Sequence, residues 1–145
     1  MNPTTSTSGV TFVAAAQLLA AYLTDHGLPQ PASLTVTSSD RRSEVTVQLD
    51  SLTVALVAVE LLAWADTLTT VTVSAWRPPA GDRVHLSLAS TLTDPTGTVS
   101  LDVYGGADHD PALIADLEPG QRVAVSLGQL RTWAACASNT GGGRA

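Results

Sequence analysis

The chain has 145 residues and a mass of 14.9 kDa, the size of one ordinary domain. Hydrophobic residues make up 44%, charged residues 14%, and mean hydropathy is +0.19, enough apolar material to offset the entropy of ordering and to exclude wholesale disorder. Seven basic residues against 13 acidic ones leave a formal charge of −6, which repels phosphate backbones.

All seven basic residues are Arg, and only Arg41 and Arg42 adjoin, so no polybasic segment for nucleic acid or anionic lipid is present. The longest nearly apolar run, Leu52 to Ala65, is shorter than the roughly 20 residues of a membrane helix and contains Glu60. A lone Cys136 forms no intrachain disulfide, and residues 1–9 lack the positive stretch of a secretory signal. The expected location is the cytoplasm.

Residues 1–9 are small and polar and residues 139–145 are Gly-rich, so both read as disordered or flexible tails around a single α+β domain at 10–138. From Val10 to His26, Phe12, Ala16, Leu19, Ala20 and Leu23 recur at helical spacing until Gly27 and Pro29 stop the helix. Leu34 and Val36, then Val45, Val47 and Leu49, alternate with polar residues and predict a hairpin. Asp50 or Ser51 is positioned to cap a second helix reaching about Thr67. Its polar residues Thr53, Glu60 and Thr67 are seven apart and share one stripe, the rest of the circumference being apolar.

Three further alternating runs, Val71 to Ala75, Val84 to Leu88 and Val99 to Val103, are separated by the turn sequences RPPAGD and DPTG and predict an antiparallel meander. A short helix is expected from Pro111 to about Leu117 behind the cap Asp110, then a strand at Arg122 to Val125, then a helix from Leu127 to Ala137 with Ser126 before it. The order α-β-β-α-β-β-β-α-β-α predicts an α+β fold, a mainly antiparallel sheet of about six strands with helices on one face.

Alternation places Thr72, Ser74, Trp76, Arg83, His85, Ser87, Ser100, Asp102 and Tyr104 on the other face. Turns centred on Pro79–Ala80 and Pro95–Thr96 set Trp76 opposite Arg83, Ser74 opposite His85, and Ser87 opposite Tyr104. Trp76, Arg83, His85, Asp102 and Tyr104 are the candidate binding residues, because aromatic and Arg side chains framed by polar groups are favoured at partner interfaces. Cross-strand pairing explains the same residues without a ligand.

Elsewhere, the segment YGGADHD gathers Asp108, His109 and Asp110. Strand-ending glycines and the Asp110 cap account for it, and no metal and no cofactor are expected. Glu60, alone in the apolar helix, is the pocket candidate, with membership of the polar stripe as the simpler account. No phosphate-binding loop, nucleophile elbow, paired Cys or His at metal spacing, or RNA-binding aromatic motif occurs, and no catalytic residue is identified.

The stretches LLAWADTLTTVTVSAWRPPAGDRVHLSL and VYGGADHDPALIADLEPGQRVAVSLGQLRTWAA, with the amphipathic opening, resemble a group of small hypothetical proteins from actinomycetes, some carried on integrative or plasmid-type elements. The resemblance spans about Phe12 to Ala135. It implies no chemistry, only a bacterial accessory protein with a regulatory or interaction role. The resulting expectation is a non-enzymatic interaction module that self-associates as a homodimer, through the helix Leu52 to Leu68 or the sheet face, with a protein partner as a further contact. The alternative is a small-molecule-binding protein or enzyme with a pocket between helices and sheet drawing on Glu60, His85, Asp102 and Tyr104. Nucleic acid, which would need Arg41, Arg42, Arg77 and Arg83 on one side, and membrane are not expected partners.

Overall fold

The computed structural model describes residues 12–38, 43–94, 97–114 and 117–142. In chain order it contains α1 (Phe12–His26), β1 (Ser33–Ser38), β2 (Ser43–Gln48), α2 (Val54–Ala65), β3 (Thr72–Trp76), β4 (Arg83–Asp94), β5 (Gly97–Asp108), β6 (Arg122–Val125) and α3 (Leu127–Gly142). The six strands form one sheet in the order β1-β2-β5-β4-β3-β6. All neighbours are antiparallel except β2 and β5, which run parallel with Val45 opposite Leu101. The chain joins them by sending α2 and the β3–β4 hairpin between the two strands, the crossover that a parallel pair requires.

One core cluster holds the inward residues of the sheet, among them Val45, Val47, Val73, Ala75, Val84, Leu86, Leu88, Leu101 and Val103, with buried residues of all three helices. Helix α1 meets β1 and β2, α2 crosses β4 and β5, and α3 packs on α2. The α2 side chains Val54, Val57, Ala58, Leu61 and Trp64 recur every three or four residues and are all buried. In α1 the buried positions are Ala15 and Leu19, whereas Phe12 stays 54% exposed, so its inward stripe is rotated from the predicted Phe12–Ala16 line.

Several predicted boundaries move. The N-cap of α2 is Thr53, not Asp50 or Ser51: its backbone is extended and its hydroxyl accepts the Leu56 N–H at 3.2 Å. The expected helix after Asp110 is only a turn among the described residues, with the Leu113 and Ile114 N–H groups bonded to the Asp110 carbonyl. Ile114 and Leu117 are drawn into the core, and so short a segment has little intrinsic helicity to oppose that pull. Helix α3 begins in a reciprocal cap, Gln129 N–H to Ser126 Oγ and Ser126 N–H to Gln129 Oε1, both 3.0 Å. It continues to Gly142, through the beginning of the expected tail; residues 1–9 and 143–145 lie outside the described residues.

Strands β4 and β5 span 12 residues each and run well past the predicted runs. Gly105 and Gly106, expected to end the strand, lie within β5, which continues through Ala107 to Asp108. Gly105 faces the helices, and a Cβ there would stand 2.9 Å from both γ-carbons of Val57 on α2. Its role is the close approach of helix to sheet.

Candidate functional site

The face of the sheet away from the helices carries the predicted outward set. The register differs from expectation at the first hairpin: Trp76 lies opposite His85 and Ser74 opposite Ser87, because the reversal is centred nearer Gly81 than Pro79. Arg83 is therefore not the partner of Trp76; it pairs with Asp108 on β5, Nη1 to Oδ1 at 3.2 Å. The expected pairing of Ser87 with Tyr104 is observed.

Three rings form a row across the central strands. Trp76 and His85 have centroids 5.6 Å apart, and His85 and Tyr104 6.1 Å apart, both tilted by less than 40°. At the β6 end Arg122 lies opposite Trp76, with its guanidinium carbon 5.6 Å from the ring centroid, while Nη1 donates to Ser74 Oγ at 3.1 Å. Gly106 lies opposite His85, and a Cβ there would meet Arg83 Nη2 at 3.1 Å and the imidazole Cε1 at 3.4 Å. The missing side chain lets the Arg83 and His85 groups settle on the strand.

Electrostatics divide the face. Partial burial, then Arg83 and Arg122, hold the His85 pKa below its ordinary value, so the ring is neutral at pH 7. Asp102, further along β5, is pushed above the ordinary carboxylate value by burial, with Arg122 opposing and Glu44 reinforcing the shift. Glu44 and Asp102 lie on β2 and β5, while Arg122 lies at the opposite edge on β6. The face thus sets ring faces and edges among the carboxylates of Glu44 and Asp102 and the guanidinium of Arg122.

The other sequence candidates separate from this face. Glu60 accepts the Ser51 hydroxyl on Oε2 at 2.5 Å, while its Oε1 is buried without a hydrogen-bond partner among the described residues. Trp64 is fully buried and stacks on Tyr22, 6.0 Å between centroids, so this aromatic pair is part of the packing between α1 and α2. The polar stripe is consumed internally: Thr53 caps α2, Ser51 holds Glu60, and Thr67 accepts the Tyr22 hydroxyl on its carbonyl at 2.8 Å. The outer side of α2 is left to Leu56 and Val59, with Leu52 just ahead, all exposed.

His109, Asp108 and Asp110 point to three different partners: Ile114 O for the His109 Nε2, Arg83 for Asp108, and the Ala112 N–H for Asp110. Among the described residues no three His, Cys, Asp or Glu side chains gather as metal ligands would, and no helix is long and apolar enough to cross a membrane. Arg41 and Arg42 lie outside the described residues; Arg77 donates to Leu117 O at 3.0 Å beside β3. Arg122 is the site residue that sequence reasoning missed. Alternation with the buried Val125 marks it as outward, but only the placement of β6 beside β3 brings it to Trp76.

No protein-family model matches the chain, and no curated protein or solved structure matches it.

Proposed function

We propose that the chain is a non-enzymatic interaction module that self-associates, with the outer sheet face as the contact and a second copy as its occupant. The carrying observation is the row Arg122–Trp76–His85–Tyr104 on a face that no described helix covers. Trp, Tyr and Arg are the residue types that dominate interface energetics, and a neutral His85 adds no charge to desolvate. The flanks argue for a second copy. Stacking two such faces about a two-fold axis parallel to the strands brings Arg122 of each copy toward the Asp102 and Glu44 side of the other, a self-complementary arrangement.

Sedimentation velocity of the full chain over a wide concentration range tests this, beside the double variant Trp76→Ser, Tyr104→Ser. The variant is expected to lose an association step while keeping the wild-type circular dichroism. A wild-type chain that stays monomeric throughout defeats the self-association reading, and a double variant that assembles like wild type defeats the choice of surface.

A further inference from the structure

The sheet has two edges, and they differ in protection. At one edge, β6 is four residues long and carries Arg122, both features that discourage pairing with another strand. At the other, β1 has the sequence SLTVTS, without charge, proline or glycine, and all but Val36 exposed. Its inner side pairs with β2 along its whole length, from Ser33 opposite Gln48 to Ser38 opposite Ser43. Among the described residues no strand pairs with its outer side. Every second residue there presents its N–H and C=O groups outward, as in any edge strand.

Beside the first half of β1, on the helical side, lies an open groove of about 650 Å³ whose apolar lining includes Leu23, Leu28, Pro29, Pro31 and Leu34. Leu34 and Val36 face that side, since they lie opposite the buried Val47 and Val45. Thr35 and Thr37 face the other side. The strand is self-complementary in this pattern. An antiparallel pairing of two β1 strands with Thr35 on the two-fold axis sets Leu34 opposite Val36 of the second copy and Ser33 opposite Thr37 of the second copy. Apolar meets apolar and hydroxyl meets hydroxyl, and register is set by such alternation wherever one face is buried.

We infer that β1 is an interface with a second copy of this chain, paired edge to edge about Thr35 so that the two sheets become one. Val36 of each copy then borders the groove of the other, covering Leu34, which is 38% exposed in the single chain. This surface goes beyond the outer-face contact but rests on the same reading that the chain self-associates. The two contacts are geometrically compatible. Pairing of edges uses a two-fold axis perpendicular to the sheet beside β1, and stacking of faces uses one along the strands over the middle of the sheet, so the two contacts occupy separate surfaces of the chain.

The test uses charge at the axis. Thr35 is exposed on the outer side, where Lys or Glu leaves the fold intact, yet in this register a charge at 35 meets its own copy. Thr35→Lys alone and Thr35→Glu alone are each expected to lose the edge association step in sedimentation velocity, and an equimolar mixture of the two is expected to restore it. Hydrogen exchange is expected to show β1 amides protected in assembled wild type and in the mixture, and exposed in each single variant. Edge pairing is overturned if either single variant assembles like wild type, or if the mixture assembles no better than its components. A chain that never leaves the monomer defeats self-association as a whole. Assembly that survives Thr35→Lys but fails in the Trp76, Tyr104 variant keeps the outer face and removes the edge.

Discussion

Replacing Gly105 by Ala puts a methyl group 2.9 Å from both Cγ1 and Cγ2 of Val57, where carbon atoms normally rest about 3.5–4.0 Å apart. Rotating Val57 about χ1 does not free the space, because at least one of its two methyls faces residue 105 in every staggered rotamer. The strand has no room to retreat either, since β5 is hydrogen-bonded on both sides, to β2 and β4. Helix α2 must lift, at a cost of about 1–3 kcal/mol for an overpacked core. Reduced backbone freedom in the unfolded chain returns about 0.4–1 kcal/mol, leaving a net loss of roughly 1–2 kcal/mol. Val57→Ala alone removes two fully buried methyls, worth about 1.6 kcal/mol in transfer with a cavity term on top, and so costs roughly 2–3 kcal/mol. In the double variant the new methyl of residue 105 occupies the space the old ones left, so the two losses combine to less than their sum by about 1–2 kcal/mol. Urea unfolding followed by tryptophan fluorescence, Trp64 being fully buried, measures all four corners of the cycle. A Gly105→Ala protein as stable as wild type, or a cycle additive to within about 0.5 kcal/mol, refutes the close-approach account of this glycine.

Tyr22→Phe removes the hydroxyl that ties α1 to the end of α2 and is expected to cost about 1 kcal/mol in the same unfolding assay, through the lost bond to the Thr67 carbonyl. Because the folded pKa of His85 lies below the ordinary imidazole value of 6.5, the unfolded chain binds more protons in that window; this contribution to stability is lost as pH falls from 6.5 through the folded value, and His85→Asn flattens the slope of stability against pH there. Asp102 acts with the opposite sign. Its folded pKa lies above 3.8, so between 3.8 and the folded value the native state binds more protons and this contribution declines as pH rises; Asp102→Asn removes the decline. Arg122→Ala is expected to raise the His85 pKa, read from the imidazole NMR titration, and to cost about 0.5–1 kcal/mol through the lost Trp76 contact. An unmoved His85 titration would contradict the assignment of Arg122 to this row.

The outward set Trp76, Arg83, His85, Asp102 and Tyr104 was legible because parity within a strand is local: Val84, Leu86 and Leu88 face the core and their neighbours cannot. The pairings between strands were less legible, since they depend on where a reversal is centred. The RPPAGD turn moved Trp76 from Arg83 to His85, while the shorter DPTG turn kept Ser87 on Tyr104. Gly105 and Gly106 misled for a related reason: a glycine pair reads as the end of a strand until the helix packed over one and the side chains resting over the other are known.

Composition, period and parity together determined the α+β class, the helical or extended nature of every long element and the choice of buried face, because each depends on residues within a few positions of one another. The tertiary structure decided what depends on residues far apart in the chain: the parallel junction of β2 with β5, the arrival of Arg122 over Trp76, and the assignment of Glu60 to Ser51 rather than to a cavity. It also left β1 as a bare edge, since a strand's rank in a sheet is set by how the whole chain closes and by nothing in the six residues of the strand itself.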